Sequence, residues 1–501
     1  MSILSKIKNT SLKLKFKQHK KKALVLILLF WFLIIGLYQT NKNMPAGTDF
    51  ISKSFVVKSE NVDFVYDLSF QNSESIIHEQ NIFDTIINHI NEAEHYILID
   101  MFLFNGLLGN ANDSYRPLSS DLSTAIINKK KSNPEIKIDL ITDPINIVYG
   151  GTVSREIEQL KKAGVNVIVS NLKPLRDSNP LYSSMWRGIF QWLGNSTKTG
   201  WLANPFAKDA PKVSLRSYLS LLNFKANHRK VFIADNNNEM VSLISSANPH
   251  DGSSAHSNVA LKITGDFWQS LWYSESAVAK MAKKELQSPP IFKNINTDNQ
   301  EDNDISLELI TEKKIKDSLL EAIKNTKKDD QITMAMFYLS ERSIIKGLIN
   351  AANRGTNVKI ILDPNKDAFG YQKNGIPNRQ VASELIKKSK NKIKIRWYNT
   401  NGEQFHSKIT YIAHKNGPSR VILGSANLTR RNINNYNLET NVSVIAPSSS
   451  IFIQNISTYL NRIWDNKNHN TYTLDYSAYQ DDTLWKYWVY RLQEATGLCS
   501  F

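Results

Sequence analysis

Six sequence elements occur twice in this chain, in the same order, and this repetition restricts the possible folds more than any other feature. Residues 83–105 (FDTIINHINEAEHYILIDMFLFN) and 316–340 (KDSLLEAIKNTKKDDQITMAMFYLS) each pass from an amphipathic helical pattern into an apolar strand, and Met101-Phe102 answers Met336-Phe337. Residues 123–144 and 345–365 then give helix, turn, strand and an Asp-Pro pair, and 157–171 and 382–399 give helix, turn and strand again. Next come NHRKVFIAD (227–235) and FHSKITYIA (405–413), followed by SSAN (245–248) and GSAN (424–427). Each series closes on SNVALKI (257–263) or TNVSVIA (440–446). Generic alternation of strands and helices explains the periodicities. It does not explain His-x-Lys, Ser-Ala-Asn and Asn-Val recurring in one order. The expectation is a tandem α/β repeat, with a first copy over 60–295 and a second over 305–465.

The copies differ in length at one place. Between Ser170 and His228 lie 57 residues, against 7 between Tyr398 and His406, so the first copy carries an insert over 171–227. Part of it (183–206) holds Trp186, Arg187, Phe190, Trp192 and Trp201 and no acid. A segment delivered just before the His-x-Lys strand is placed to cover a site there. It could also lean on a membrane interface, touch a substrate chain, or form a subdomain with its own small core. The polar stretch 296–304 suits the junction between copies, and 466–501 reads as a tail ending in an amphipathic helix with Trp485, Trp488 and Tyr490 that packs on the body.

The 501 residues are 41% apolar and 22% charged, as in folded globular proteins. Half of the +16 net charge lies in residues 1–22, which hold eight lysines and no acid, so the remaining +8 gives only a weak electrostatic case for nucleic acid. This basic head runs into eighteen uncharged residues, Ala23 to Thr40, with Trp31 near the middle and Tyr38 near the far end. As a helix the run is roughly 27 Å long, close to a bilayer core. It is longer than a signal-peptide core and no small-x-small cleavage site follows before Asn43, so 23–40 reads as an uncleaved anchor. The lysine excess places 1–22 in the cytoplasm and the body on the non-cytosolic side: periplasm, exterior or lumen. Cys499 is the one cysteine, so no intramolecular disulfide and no cysteine-based metal site is available.

In a strand, residues two apart share a face, so His228 projects with Lys230 and His406 with Lys408. If the halves pack as a pseudo-dimer, both pairs reach one pocket. A neutral imidazole can attack phosphorus and form a covalent intermediate, and a second, protonated histidine can donate to the leaving alcohol. Two ammonium groups can neutralise the non-bridging oxygens, with Asn248, Asn427, Ser246 and Ser425 as neutral donors. No carboxylate cluster suits a divalent metal, and none is required. One His-x-Lys on a strand is usually incidental, but two copies, each with its asparagine 20 or 21 residues after the histidine, point to a site.

At these residues the chain resembles the phospholipase D superfamily, whose signature is His-x-Lys-x4-Asp followed by a Gly/Ser-x-Asn turn, and the resemblance covers roughly residues 80–465. It implies two tandem repeats forming a pseudo-dimeric α-β-α sandwich, a phosphohistidine intermediate and no metal or other cofactor. It also implies His228 as nucleophile and His406 as general acid. The single anchor resembles the type II membrane members. The chain departs from the pattern twice. Asp235 has no counterpart, because position 413 is Ala413; seven residues from His406, an acid there would lie roughly 23 Å away, a structural rather than catalytic distance. Matching AHSNVA (255–260) to LETNVS (438–443) places Glu439 to orient His406 and puts His256 where the first copy should hold its acid.

The expected activity is that of a membrane-anchored phosphodiesterase or phosphatidyltransferase acting on phospholipid, with the membrane as its partner and no obligate protein partner. A nuclease for single-stranded nucleic acid is the alternative, since the same chemistry serves it and the aromatics could stack bases. A catalytically degenerate scaffold is disfavoured because both histidines, both lysines and both asparagines are present.

Overall fold

A computed structural model describes residues 3–109, 115–198, 200–208, 210–223, 225–237, 239–290 and 304–498. Cys499 and all of the 296–304 stretch except Asp304 lie outside the described residues. The first sheet comprises β2 (Val62–Gln71), β3 (Ile76–Glu79), β4 (Tyr96–Met101), β5 (Lys137–Thr142), β6 (Asn166–Val169), β7 (Lys230–Asn236), β8 (Glu239–Ser245) and β9 (Asn258–Thr264). The second comprises β1 (Phe55–Val57), β10 (Ile305–Thr311), β11 (Gln331–Met336), β12 (Asn357–Leu362), β15 (Ile393–Tyr398), β16 (Lys408–Ala413), β17 (Ser419–Gly424), β18 (Thr440–Ala446) and β19 (Thr473–Asp475). A short hairpin, β13 (Asp367–Ala368) and β14 (Tyr371–Gln372), stands apart.

The sheets share one order over seven strands: β2-β9-β8-β7-β4-β5-β6 in the first and β10-β18-β17-β16-β11-β12-β15 in the second. Parallel pairing joins β4, β5 and β6, whose links are helices; antiparallel pairing joins β4, β7, β8 and β9. Alternation along the central strands divides their side chains between two layers. Ile97, Ile99, Phe232 and Ala234 meet the helices Ile82–Glu92 and Leu118–Ser132, whereas Leu98, Val231 and Ile233 enter a core with Leu271 and Val278 of the helix Trp268–Met281. That second core also takes Ile409, Val421, Leu423, Val442 and Val444 from the other sheet, so the halves share it.

The N-terminal end of the body crosses to the second half, and the C-terminal segment stays with it. β1, which follows the N-terminal helix, pairs with β10 of the second sheet, and β19 pairs with β15, so the segment after 466 holds a strand as well as its helix, Leu484–Thr496. Tyr490 and Glu494 bury one face of that helix, while Leu484, Trp485, Trp488 and Leu492 are exposed. At the N-terminus one helix runs Ile3–Asn41, and its stretch Gln18–Asn41 is long and apolar enough to cross a membrane.

Candidate active site

β7 and β16 begin at Lys230 and Lys408, so each histidine sits on the approach to its strand. The opposite half holds it there. His228 N–H donates to Leu438 O and His406 N–H donates to Ser257 O, both at 2.9 Å. One residue earlier, Asp143 Oδ2 accepts from Asn227 N–H (2.7 Å) and Asp363 Oδ2 accepts from Phe405 N–H (2.8 Å). These are the aspartates of the repeated Asp-Pro pairs. Burial pushes Asp143 up to about 7 and Asp363 up to about 6, against the pull of those donors.

His228, His406, Asn248 and Asn427 all line one cavity of about 450 Å3. Phe102 packs on the His228 ring (centroids 4.8 Å apart) and Phe337 on the His406 ring (4.9 Å), so the repeated Met-Phe pairs supply the wall beside each imidazole. The two lysines lie deeper. Lys230 Nζ donates to His228 O (2.7 Å) and Lys408 Nζ to His406 O (2.6 Å), and both side chains are buried. Burial lowers Lys230 to about 7, against the pull of Glu439, Asp100 and Asp143. Burial, then the Lys230 charge, lowers Lys408 well below the ordinary lysine range.

The orienting partners differ from the expected ones in two respects. Glu439 does not serve His406. Its Oε2 lies 3.0 Å from His228 Nδ1, across the boundary between halves, and accepts from Ser425 Oγ at 2.5 Å, while Oε1 accepts from Asn432 Nδ2. Nor does His256 occupy the matching position. Ser246 N–H donates to Val259 O as Ser425 N–H donates to Thr440 O, so Asn258 is the counterpart of Glu439. Asn258 Oδ1 lies 3.1 Å from His406 Nδ1 and accepts from Ser246 Oγ at 3.0 Å, while its Nδ2 donates to His256 O. The repeated Asn-Val pair is thus offset by two residues between the strands. An even offset keeps every side chain on its face, so alternation could not reveal it. His256 lies in the cavity wall, its ring centroid 5.8 Å from that of His406 and 5.9 Å from that of Phe369.

One histidine is therefore paired with a buried carboxylate and the other with a neutral amide. Burial lowers His228 to about 4; Glu439 pulls the other way, and the Lys230 and Lys408 charges add to the lowering. His406 is held well below the ordinary histidine range by burial and then by Lys408, His256, Lys230 and His228. Burial alone would raise Glu439, but His228, Lys230 and the Asn432 amide hold it below the usual carboxylate range. With Nδ1 of each ring turned to its partner, Nε2 is the nitrogen available to the cavity.

Asp235 stands at the far end of β7, where its carboxylate accepts from the N–H groups of Glu94, His95 and Tyr96 and meets His95 Nδ1 at 3.0 Å. In the second half Asp330, just before the facing strand β11, plays the corresponding part. Its carboxylate meets His414 Nδ1 at 2.8 Å and accepts from Lys415 N–H. The acid and the histidine have exchanged strands, so the turn near Ala413 retains a carboxylate. Arg229, between His228 and Lys230, is fully buried and bonds Glu275 (3.2 Å) and, across the halves, Glu312 (2.7 Å).

The insert reaches the same cavity through Phe206, Leu221, Leu222, Lys225 and Ala226. Among the described residues no group of three or more His, Cys, Asp or Glu is arranged to hold a metal.

Fold and site define a mixed α/β protein with two His-x-Lys strands on one cavity. Residues 319–464 match the family model described as cardiolipin synthase, PLD-like domain. The structure resembles phosphatidylserine synthase from Haemophilus influenzae Rd KW20 with a TM-score of 0.53 and 11% identity, over 93% of this chain and 100% of that one; the likeness is one of fold. Polyphosphate kinase from Porphyromonas gingivalis matches with a TM-score of 0.44 and 13% identity, over 86% of this chain and 52% of that one. The phospholipase D family member Nuc from Salmonella typhimurium matches with a TM-score of 0.27 and 20% identity, over 34% of this chain and 97% of that one. No curated protein matches the chain in sequence. The matched residues 319–464 lie in the second half, and over the whole chain the likeness is one of fold.

Proposed function

We propose that this protein is a membrane-anchored phosphatidyltransferase or phosphodiesterase that acts on phospholipid through a phosphohistidine. The observation that carries this is the pairing of His228 with Glu439 opposite His406 on one cavity. His228, neutral and held by the carboxylate at Nδ1, attacks phosphorus through Nε2. The bond between phosphorus and the departing alcohol breaks, and His406 gives that alcohol its proton. A bound phosphodiester anion counters the cations around His406 and favours its protonated form. In the second step an alcohol or water passes its proton to His406 and attacks phosphorus, the P–N bond breaks, and His228 is restored. Lys230 and Lys408 stabilise the non-bridging oxygens, with Asn248 and Asn427 beside them.

Three features favour lipid over nucleic acid. The cavity wall is largely apolar, with Leu103, Leu107, Ile145, Phe206, Leu221 and Leu222; the apolar helix Gln18–Asn41 is attached to the same body; and the matched family model is described as a cardiolipin synthase domain.

The test uses the full chain in detergent, with chelator present, offered labelled phosphatidylglycerol and, separately, a labelled oligonucleotide. Release or exchange of the lipid head group is expected, with loss of activity in His228→Ala. Cleavage of the oligonucleotide alone would overturn the reading. Inactivity on both, with His228→Ala indistinguishable from the parent, would point to a scaffold.

A further inference from the structure

The insert helix Pro180–Gly188 runs antiparallel to the N-terminal helix and in contact with it. Asp177 N–H donates to Gln39 O at 3.0 Å, and Ser184 Oγ donates to Phe32 O at 2.5 Å. A Cβ at Gly36 would lie 2.6 Å from Pro180 O, and one at Gly188 would lie 2.9 Å from the Phe32 ring, so glycine at both positions lets the helices touch. The contact extends from Gln39 to Trp31, which meets Gly188. At the rise of an α-helix, Trp31 stands ~14 Å from the Thr40 end of the apolar run, half the thickness of a hydrocarbon core.

The insert helix has three faces. Pro180, Ser184 and Gly188 meet the N-terminal helix. Ser183, Trp186 and Arg187 turn inward, where Arg187 Nε bonds Asp177 Oδ2 of the same insert at 2.9 Å. Leu181, Met185, Ile189 and Trp192 form the third face and are exposed, Leu181 by 74% and Trp192 by 77%. Their spacing is that of one helical stripe, and Leu33, Ile34 and Leu37 of the N-terminal helix it touches are exposed as well. Exposed apolar side chains on two touching helices are costly in water and matched by acyl chains. The backbone is satisfied as lipid requires: Ile189, Trp192 and Leu193 N–H donate to Met185, Ile189 and Phe190 O at 2.9, 3.2 and 3.1 Å.

We propose that Pro180–Gly188 and the turn Phe190–Trp192 form a re-entrant wedge within the bilayer leaflet nearest the body, beside the N-terminal helix. The wedge rests on the reading of Gln18–Asn41 as a membrane span. Its continuation lines the two-histidine cavity through Phe206, Leu221 and Leu222, so one segment joins the leaflet to the site. A phospholipid then moves sideways out of the leaflet along the insert and presents its phosphate to the histidines without crossing water.

The full chain carrying Cys499→Ser, in vesicles of phosphatidylglycerol and phosphatidylethanolamine, tests this with nitroxide labels on single cysteines. Leu181→Cys, Ile189→Cys and Trp192→Cys probe the wedge, Leu29→Cys the span and Lys467→Cys the exposed body. Wedge labels accessible to dissolved oxygen but shielded from a water-soluble nickel chelate, like the label at 29, are expected. Nickel-accessible wedge labels with a lipid-exposed label at 29 overturn the wedge alone. A water-exposed label at 29 overturns the span and the wedge with it. The Leu181→Glu/Trp192→Glu double variant should lose turnover on vesicle phosphatidylglycerol and keep it on a monomeric short-chain analogue. Unchanged turnover on both, or loss on both, contradicts the wedge.

Discussion

Glu439 Oε2 lies 3.0 Å from His228 Nδ1, so the acid that orients the first half's histidine belongs to the second half. The equivalent position facing His406 is held by Asn258, whose Oδ1 lies 3.1 Å from the ring. A carboxylate stabilises the positive charge that builds on an imidazole as it attacks phosphorus; an amide only fixes the tautomer. This asymmetry supports assigning attack to His228 and proton transfer to His406.

Glu439→Gln keeps the shape of the contact and removes its charge. The expected outcome is a kcat lower by about 100-fold or more, the scale of an orienting partner of a catalytic imidazole. Asn258→Asp should lose far less and should shift the pH profile of proton transfer. Steady-state kinetics of both variants check this, and equal losses would remove the division of roles.

His406→Asn blocks proton transfer but leaves the nucleophile. With a phosphodiester whose leaving group is an acidic phenol, the first step needs no acid, so the phosphoryl group with its remaining ester should accumulate on the protein while turnover stops. Intact-mass measurement after a short incubation reads the adduct. His228→Ala should give none, and an adduct that survives in His228→Ala would reassign the nucleophile.

The pH dependence follows from burial. His228 must be neutral to attack and is lowered to about 4, so kcat/KM should rise through that region. His406 must be protonated to give its proton and is held well below the ordinary histidine range, and Lys230, lowered to about 7, must be charged to neutralise phosphate, so kcat/KM should begin to fall below neutrality and fall further through it. A bound anion favours the ammonium, so the falling limb of kcat should lie at higher pH than that of kcat/KM. A profile flat from pH 6 to 9 would show that neither His406 nor a buried lysine limits the free enzyme over that range.

Asp235→Asn should weaken the fold and spare the chemistry. The buried carboxylate holds three N–H groups at the turn before β4, and hydrogen bonds to a charged acceptor are each worth about 1.5–3 kcal/mol. A lowered urea midpoint with kcat per folded molecule unchanged is expected. A drop in kcat at unchanged stability would place Asp235 in the chemistry.

The α/β class and the paired His-x-Lys strands were legible because strand alternation is local: Val231 and Ile233 enter one layer and Lys230 the other, as spacing alone requires. The partner of each histidine was not legible, because it depends on which half packs against which. The Asn-Val match misled by two residues, an offset invisible to a period of two. Phe102 and Phe337 stood in the sequence as a repeated Met-Phe pair, but a strand-end phenylalanine gives no sign that it will pack on an imidazole. The insert's aromatics suggested a membrane interface, and its contact with the N-terminal helix depends on glycines 152 residues apart, Gly36 and Gly188.

The reciprocal seating of the histidines has a consequence for how such a chain can diverge. His228 and His406 hang from Leu438 and Ser257, each in the other half. A change at position 258 or 439 is thus felt by the opposite copy's histidine, while the copy that changed keeps its own ring in the same surroundings. Two originally interchangeable halves can acquire separate duties through a single exchange of acid for amide, with neither His-x-Lys strand altered. Those duties cannot then be recovered by cutting the chain in two.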